Sequence, residues 1–146
     1  LKTDELSSNK DFPKLLLELL EEQSSIGNFS YQLEKDDTIA WNQVDEKIKI
    51  NLFRTVQEAV YNTLKYAKCK KIKICLKRRK NEVVLIIADD GKGFDTNKKN
   101  RGIGLKNMKS RARSIGAVLD IKSIPKEGTT IEVRITTKIL YHEAVT

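Results

Sequence analysis

Hydrophobic residues in the first half of the chain recur at the spacing of one helix face. Between residues 12 and 22 this face carries leucines at 15, 16, 19 and 20, and Pro13 suits a first helical turn. In the second such segment, residues 45–67, the apolar stripe consists of Phe53, Val56, Val60, Leu64 and Ala67. The pattern predicts two amphipathic helices with a short strand at 29–34 between them.

Beyond residue 67 the period of the pattern becomes two. Ile72, Ile74 and Leu76 alternate with lysines, which predicts a strand with one solvent-exposed face. Residues 83–88 are continuously apolar, as expected of a central strand buried on both faces. The rest of the pattern predicts, in order, a helix at 103–115 ended by Gly116, a strand at 118–123, and a strand at 129–137.

This order of elements predicts the fold class. Two helices, a strand pair, a helix and a second strand pair indicate an α+β protein built as a two-layer sandwich. About three helices are expected on one face of a mixed, mostly antiparallel sheet. A doubly wound parallel sheet is not favoured, because it would need helices and strands that alternate singly.

Length and charge narrow the picture further. The chain has 146 residues and a formal net charge of +8, with 28 Lys and Arg against 20 Asp and Glu. This length fits one domain with a hydrophobic core of its own. The basic residues cluster at 65–80 and 98–113. Charge alone leaves open a nucleic-acid surface, a solvated face, or a site for a small phosphate-bearing ligand.

Composition predicts a reduced, cytoplasmic setting. No apolar run approaches the roughly 18 residues of a membrane-spanning helix, and the first residues have no signal-peptide core. Cys69 and Cys75 are too few for a disulfide scaffold, and no histidine lies near them to complete a zinc site. The sole histidine, His142, is expected in a C-terminal tail at 138–146.

Glycines mark the first candidate site. Four of the seven glycines fall between residues 89 and 105, as the pairs Gly91 and Gly93, then Gly102 and Gly104. The first pair follows a predicted buried strand, where glycine lets the backbone approach a ligand closely. The second pair leads into a helix, and a helix N-terminus attracts phosphate. Two ordinary turns are the alternative interpretation.

Polar side chains at three further places could take part in chemistry. Asp89 can accept a hydrogen bond from an exocyclic amine, which suits adenine better than guanine, although turn formation is an alternative. Glu58 and Asn62 share one helix face, with Lys65 one turn further. That face could activate a hydroxyl or imidazole and hold Mg²⁺, or it could simply be solvated. Thr129, in the last strand, fits β-propensity alone.

Taken in order, these segments resemble the motifs of the sensor histidine kinases. The matching motifs are the N-box in VQEAVYNTLKYAK (56–68), the first glycine box in DDGKGF (89–94), the second in RGIGLKNMKSRA (101–112), and a threonine motif at 128–130. The resemblance covers roughly residues 12–136. It is closest to the nitrate-sensor and desaturase-sensor subfamily, because only about seven residues, 95–101, separate the glycine boxes.

The resemblance implies the Bergerat ATP-binding fold and a role for each matching residue. Asp89 would bind the adenine amine, with Thr129 on the same side. Glu58 would polarise the attacking group, Asn62 would coordinate Mg²⁺, and Lys65 would contact phosphate. The backbone would pass close to the nucleotide at Gly91, Gly93, Gly102, Gly104 and Leu105.

The resemblance also implies partners. ATP and Mg²⁺ would be required, but the phosphoacceptor histidine of the resembled kinases is missing, and His142 lies at the wrong end to replace it. We therefore expect a catalytic domain at 12–137, preceded at 1–11 by a linker or the end of a dimerisation helix. It would phosphorylate a histidine on the parent protein's dimerisation domain, for relay to a response regulator. The isolated domain is expected to be monomeric and the parent a homodimer, with or without a membrane anchor.

Two other functions remain open at this point. An anti-sigma-factor serine kinase shares the fold and has no phosphoacceptor domain, although the continuous helix at 103–115 and the short connection before it favour the histidine kinase. A basic nucleic-acid-binding module would bind with a steep salt dependence. With only 6% aromatic residues the chain has no stacking platform, so no nucleic-acid partner is expected.

Overall fold

A computed structural model of the protein describes residues 11–67, 69–93 and 102–142. Its elements in chain order are α1 (Phe12–Gly27), β1 (Ser30–Glu34), a 3₁₀ turn (Trp41–Gln43), α2 (Glu46–Asn62), a π-helical turn (Thr63–Ala67), β2 (Lys71–Arg79), β3 (Glu82–Asp89), α3 (Gly102–Ser114), β4 (Val118–Ile124), β5 (Gly128–Thr136) and α4 (Thr137–Leu140).

The strands form one mixed sheet in the order β1-β2-β3-β5-β4. β1 and β2 are parallel, and the other three neighbouring pairs are antiparallel. The predicted α+β class with a mostly antiparallel sheet is therefore confirmed. The central strand is β3, as its apolar run predicted, and its last residue, Asp89, lies between Ile72 of β2 and Thr129 of β5.

The core lies between the helices and one face of the sheet. α1, α2 and α3 contribute their apolar faces, and every second residue of the inner strands points toward them. The largest side chains that are almost completely buried include Phe12, Leu16, Leu20, Val56, Val60, Ile72, Ile74, Leu76 and Met108. Among the helices of the described ranges, none has the length and apolarity to cross a bilayer.

The opposite face of the sheet is only partly covered, so the expectation that β3 is buried on both faces holds in part. Val84 on this outer face is fully buried, whereas Ile86 and Ala88 on the same face are partly exposed. Charged neighbours on β5, among them Arg134 and Glu132, stand directly beside these residues in the sheet. Their aliphatic stems can shield apolar residues while their charged ends remain in water.

The second predicted helix does not continue to Ala67 as one α-helix. α2 ends at Asn62, and the backbone continues as a π-helical turn. At this point the Thr63 hydroxyl lies 2.9 Å from the Ala59 carbonyl oxygen, and a side chain bonded to the carbonyl four residues earlier commonly perturbs a helix. The change of pitch alters the direction in which Lys65 projects relative to an uninterrupted helix.

The C-terminal residues as far as His142 pack onto the domain, unlike the tail expected from residue 138. Leu140 is completely buried. The Tyr141 hydroxyl accepts a hydrogen bond of 3.0 Å from the Ala40 amide, and His142 Nε2 lies 2.8 Å from Asp45 Oδ2. The other oxygen of Asp45 accepts from the Lys47 amide and caps α2. The sequence pattern missed this segment because a single buried leucine carries no periodicity.

Replacing Leu140 with alanine is expected to lower the free energy of unfolding by about 3 kcal/mol, because it leaves a cavity in the core. Urea denaturation monitored by circular dichroism measures this change. Lys138→Ala, in the same short helix but exposed, is the control and should stay within about 0.5 kcal/mol of wild type. Equal, small effects from both variants would mean that this segment does not belong to the folded domain.

Candidate functional site

Asp89 is the centre of the candidate site. It ends β3, where its two carboxylate oxygens have different donors. Oδ1 accepts a hydrogen bond of 2.8 Å from the Gly91 amide, and Oδ2 lies 3.1 Å from the Thr63 hydroxyl. Because an ionised carboxylate offers about four lone-pair sites, these contacts leave acceptor capacity for a ligand.

The electrostatics of Asp89 are set by burial. Desolvation of the half-buried carboxylate raises its pKa above the ordinary value for aspartate. Hydrogen bonds from the Gly91 amide, the Thr63 hydroxyl and the Thr129 amide act in the opposite direction. The result is a carboxylate that is less well solvated than a surface aspartate and therefore interacts more strongly with a donor brought close to it.

The neighbouring Asp90 has a structural role in the described geometry. Its Oδ1 accepts hydrogen bonds from the Lys70 and Lys71 amides, at 2.8 and 2.9 Å. Partial burial alone would raise its pKa, but these two amides outweigh that effect and lower it. Asp90 itself is exposed and fastens the end of β3 to the beginning of β2.

Gly93 of the first glycine pair is fitted tightly against the turn between β4 and β5, and Gly128 of that turn is fitted tightly against the end of β3. Gly93 has φ of +62°, and a Cβ added there would lie 2.1 Å from the Ile124 carbonyl oxygen. Gly128 has φ of +99°, and a Cβ there would lie 2.1 Å from the Asp89 carbonyl oxygen. Only glycine satisfies both the backbone conformation and the close approach at these two positions. Gly91 is buried in the same segment.

Thr129 lies beside Asp89 in the sheet. It is paired with Asp89 across the β3–β5 ladder and is only 8% exposed. Its Oγ1 lies 2.7 Å from Ser123 Oγ of β4, so one of these two hydroxyls donates to the other. Asp89, Thr129 and Ser123 therefore lie side by side on three neighbouring strands of the sheet.

The end of α2 lies next to Asp89. Asn62 immediately precedes Thr63, whose hydroxyl contacts Asp89. Glu58 lies four residues before Asn62 on the same helix face, and both side chains are partly exposed. Lys65 is exposed in the π-helical turn. Turns of this kind are frequent at functional sites.

The second glycine pair begins α3, which packs against α2. Gly102 and Gly104 occupy its first turn, and the partly buried Leu105 contacts the core. The orphan amides of this turn can bind phosphate if a ligand extends from Asp89 toward α3. The short connection at 95–101, which separates the two glycine boxes, lies outside the described residues.

The cysteines are not activated as nucleophiles. Burial raises the pKa of Cys69 to about 11. Burial and the neighbouring Glu34 carboxylate also raise the pKa of Cys75, whose thiol lies 3.5 Å from Glu34 Oε2. Both thiols therefore remain protonated at neutral pH, a state in which a thiol is a poor nucleophile.

Sequence reasoning missed two polar residues at this site. Thr63 continues the buried face of Val56, Ala59 and Val60, and a polar residue on an apolar stripe was the available signal. Ser123 carries no such signal, because its pairing with Thr129 follows only from the register of the β4–β5 hairpin.

Comparison with known proteins supplies a second line of observation. The family model described as "Histidine kinase-, DNA gyrase B-, and HSP90-like ATPase" matches residues 48–139, more than half of the chain. The chain is also similar to the sensor protein VraS of Staphylococcus saprophyticus, with 45% identity over 93 residues. That alignment covers 63% of this chain and 27% of VraS, so the chain spans about a quarter of such curated relatives.

Solved structures share the fold. The histidine kinase domain of the blue-light activated histidine kinase from Erythrobacter litoralis superposes with a TM-score of 0.72 at 17% identity, covering 90% of this chain and 62% of that one. The catalytic domain of histidine kinase ThkA gives a TM-score of 0.65 at 16% identity, covering 86% of this chain and 90% of the other. At these identities the likeness establishes the architecture alone.

Proposed function

This chain belongs to the family of histidine kinase-, DNA gyrase B- and HSP90-like ATPases, and on that premise we propose that it is the ATP-binding catalytic domain of a two-component sensor histidine kinase. It transfers the ATP γ-phosphoryl group to a histidine on a dimerisation domain outside this chain. The similarity to sensor proteins supports this proposal over a serine kinase or a nucleic-acid-binding module. Within the family we assign it to the nitrate-sensor and desaturase-sensor subfamily.

The observation that carries the proposal is the half-buried Asp89 carboxylate at the end of β3. Its oxygens are held by the Gly91 amide and the Thr63 hydroxyl, and each oxygen keeps acceptor capacity. An adenine amine is a neutral donor that can use this capacity, and in a partly desolvated site the hydrogen bond is strengthened. Gly93 and Gly128 keep the adjoining backbone close and free of side chains.

The phosphates and the metal ion would be held at the other end of the site. Gly102, Gly104 and Leu105 present the first amides of α3, and Lys65 adds a positive charge. Within the described residues no group of three or more His, Cys, Asp or Glu side chains could hold a metal unaided. Asn62 fits Mg²⁺, which is commonly bound by one or two protein oxygens together with substrate phosphates. When bound, the ion neutralises charge on the phosphates.

Glu58 is the residue proposed to act on the acceptor. The imidazole nitrogen of the acceptor histidine forms a bond to the γ-phosphorus, and the bond between that phosphorus and the ADP oxygen breaks. In this proposal the Glu58 carboxylate, one helical turn from Asn62, accepts a hydrogen bond from the other ring N–H of the imidazole and so polarises the attacking nitrogen. The rest of the chain positions the nucleotide, which is most of what phosphoryl transfer requires of a protein.

The remaining partners follow from the same proposal. The phosphorylated histidine would pass its phosphoryl group to a response regulator. The isolated domain would be monomeric and its parent a homodimer. The domain would act in the cytoplasm, on a parent that is free or anchored in the cell membrane.

Calorimetric titration of Mg-ADP into this chain tests the proposal directly. Saturable binding with one site per chain is expected, and removal of Mg²⁺ with EDTA should weaken it. Double-stranded DNA in the same buffer, at two salt concentrations, is the comparison ligand. Salt-sensitive DNA binding without nucleotide binding would overturn the proposal in favour of a basic nucleic-acid-binding module.

A further inference from the structure

Thr63 connects α2 to the nucleotide-facing carboxylate. Its side chain is 6% exposed, and its Oγ1 lies 2.9 Å from the Ala59 carbonyl oxygen and 3.1 Å from Asp89 Oδ2. A hydroxyl has one proton, so it donates to one of these oxygens at a time or shares the proton between them. Either way, a direct polar contact joins the end of α2 to the end of β3.

Packing alone does not require a hydroxyl at this position. The same helix face carries Val56, Ala59 and Val60, all apolar and buried, so an aliphatic residue of similar shape suits the packing. A hydroxyl placed there instead requires a polar partner. The Ala59 carbonyl is one such partner, but contact with Asp89 gives the hydroxyl an additional effect on the site.

The two donors together fix the plane of the carboxylate. The Gly91 amide holds Oδ1 from the chain that follows β3, while Thr63 holds Oδ2 from α2. Without the Thr63 hydroxyl, the carboxylate is held by backbone amides alone, those of Gly91 and Thr129, and can rotate more freely about its Cβ–Cγ bond, because such terminal torsions are broad. With both donors in place, its free lone pairs keep one direction.

We propose that Thr63 is a positioning residue that sets the preference of this site for a base with an exocyclic amine. This inference rests on the proposed function. By holding Oδ2, Thr63 keeps a lone pair of Asp89 directed at the amine of adenine. Hypoxanthine instead has a carbonyl oxygen at that position. Because this oxygen and the Asp89 carboxylate are both hydrogen-bond acceptors, they would repel each other. Without the Thr63 hydroxyl, the Asp89 carboxylate could rotate. Adenine would then bind more weakly, and a base with a carbonyl at that position would be excluded less strongly.

The test compares Mg-ADP with Mg-IDP, its inosine counterpart, by calorimetry on wild type, Thr63→Val and Thr63→Ser. Valine keeps the shape of threonine but removes the hydroxyl, and serine restores the hydroxyl. Thr63→Val is expected to weaken ADP binding about 5-fold to 10-fold, as loss of one hydrogen bond does. IDP binding should change less than about 2-fold, so the preference for ADP falls. Thr63→Ser should restore both affinity and preference to within about 2-fold of wild type.

Each outcome has a definite meaning. If Thr63→Val weakens ADP and IDP equally, or if serine fails to rescue, Thr63 has only a packing role and the inference is overturned. If Thr63→Val binds both ligands as wild type does, the inference is also overturned, while the proposed function stands. If wild type itself binds no ADP, the proposed function fails. Thermal unfolding of each variant checks that it is folded.

Discussion

Replacing Asp89 with asparagine is expected to raise the dissociation constant for Mg-ADP at least about 100-fold. The carboxylate has to accept hydrogen bonds from the Gly91 amide, the Thr63 hydroxyl and the ligand amine. Asparagine has only one oxygen, and its amide group would place hydrogen atoms against at least one of these donors. A lost charged hydrogen bond together with an unsatisfied donor in a partly desolvated site accounts for a loss of this size.

The fold itself should survive this substitution. Burial raises the pKa of Asp89, which means that its ionised form is disfavoured by folding at neutral pH. Because the folded pKa lies above the unfolded one, this penalty is present at neutral pH and disappears as the pH falls below the unfolded pKa. A neutral asparagine carries no such penalty, which offsets part of the cost of its unsatisfied donor, and thermal unfolding checks that a loss of binding in Asp89→Asn does not reflect unfolding.

Asp90→Asn is the matched control for this experiment. It changes the adjacent residue in the same way, but Asp90 is exposed and its bonded oxygen accepts from two backbone amides. Its nucleotide affinity should remain within about 2-fold of wild type, since an asparagine oxygen can accept from both amides. Calorimetry and thermal unfolding on both variants give the comparison. Undiminished ADP binding by Asp89→Asn would show that the adenine contact lies elsewhere.

The periodic parts of the fold were predictable from sequence. Each of these elements buries one face, or most of both faces, in the folded protein. This burial produces the alternation in β2, the apolar run in β3 and the apolar stripe of α2. The order and register of the strands could not be predicted in this way, because they depend on contacts between residues far apart in the chain. Register is what places Thr129 beside Asp89 and Ser123 beside Thr129.

The parts that escaped prediction depend on single contacts. α2 changes to a π-helical turn where the Thr63 hydroxyl meets Ala59, and one threonine gives no periodic signal. The C-terminal segment is held by Leu140 in the core and by His142 against Asp45, residues whose proximity arises only in the folded chain. For the same reason, the sequence showed where the glycines lie along the chain but did not predict the close approach of Gly93 to the β4–β5 turn.

Glu58→Gln is expected to slow phosphoryl transfer about 100-fold or more while leaving Mg-ADP affinity within about 2-fold. The proposed role of Glu58 is to polarise the acceptor imidazole, which a neutral amide of the same shape does poorly, and removal of such a group typically costs this much. Nucleotide affinity should be spared because the base contacts Asp89 at the end of β3. Transfer from radiolabelled ATP to the parent protein's dimerisation domain, added as a separate chain, measures the rate.

The matched control for this variant is Glu46→Gln, which removes a carboxylate from the exposed first turn of the same helix. It should transfer at the wild-type rate, because that turn lies at the opposite end of α2 from Asn62.

If Glu58→Gln transfers the phosphoryl group at the wild-type rate, Glu58 does not activate the acceptor histidine. Its face of α2 would then be a solvated surface, and another group would activate the histidine. Acid treatment of the product separates the two kinase classes, since phosphohistidine is hydrolysed in acid and phosphoserine is not. Radiolabel that remains on the protein after acid treatment would therefore indicate a serine kinase of the same fold rather than a histidine kinase.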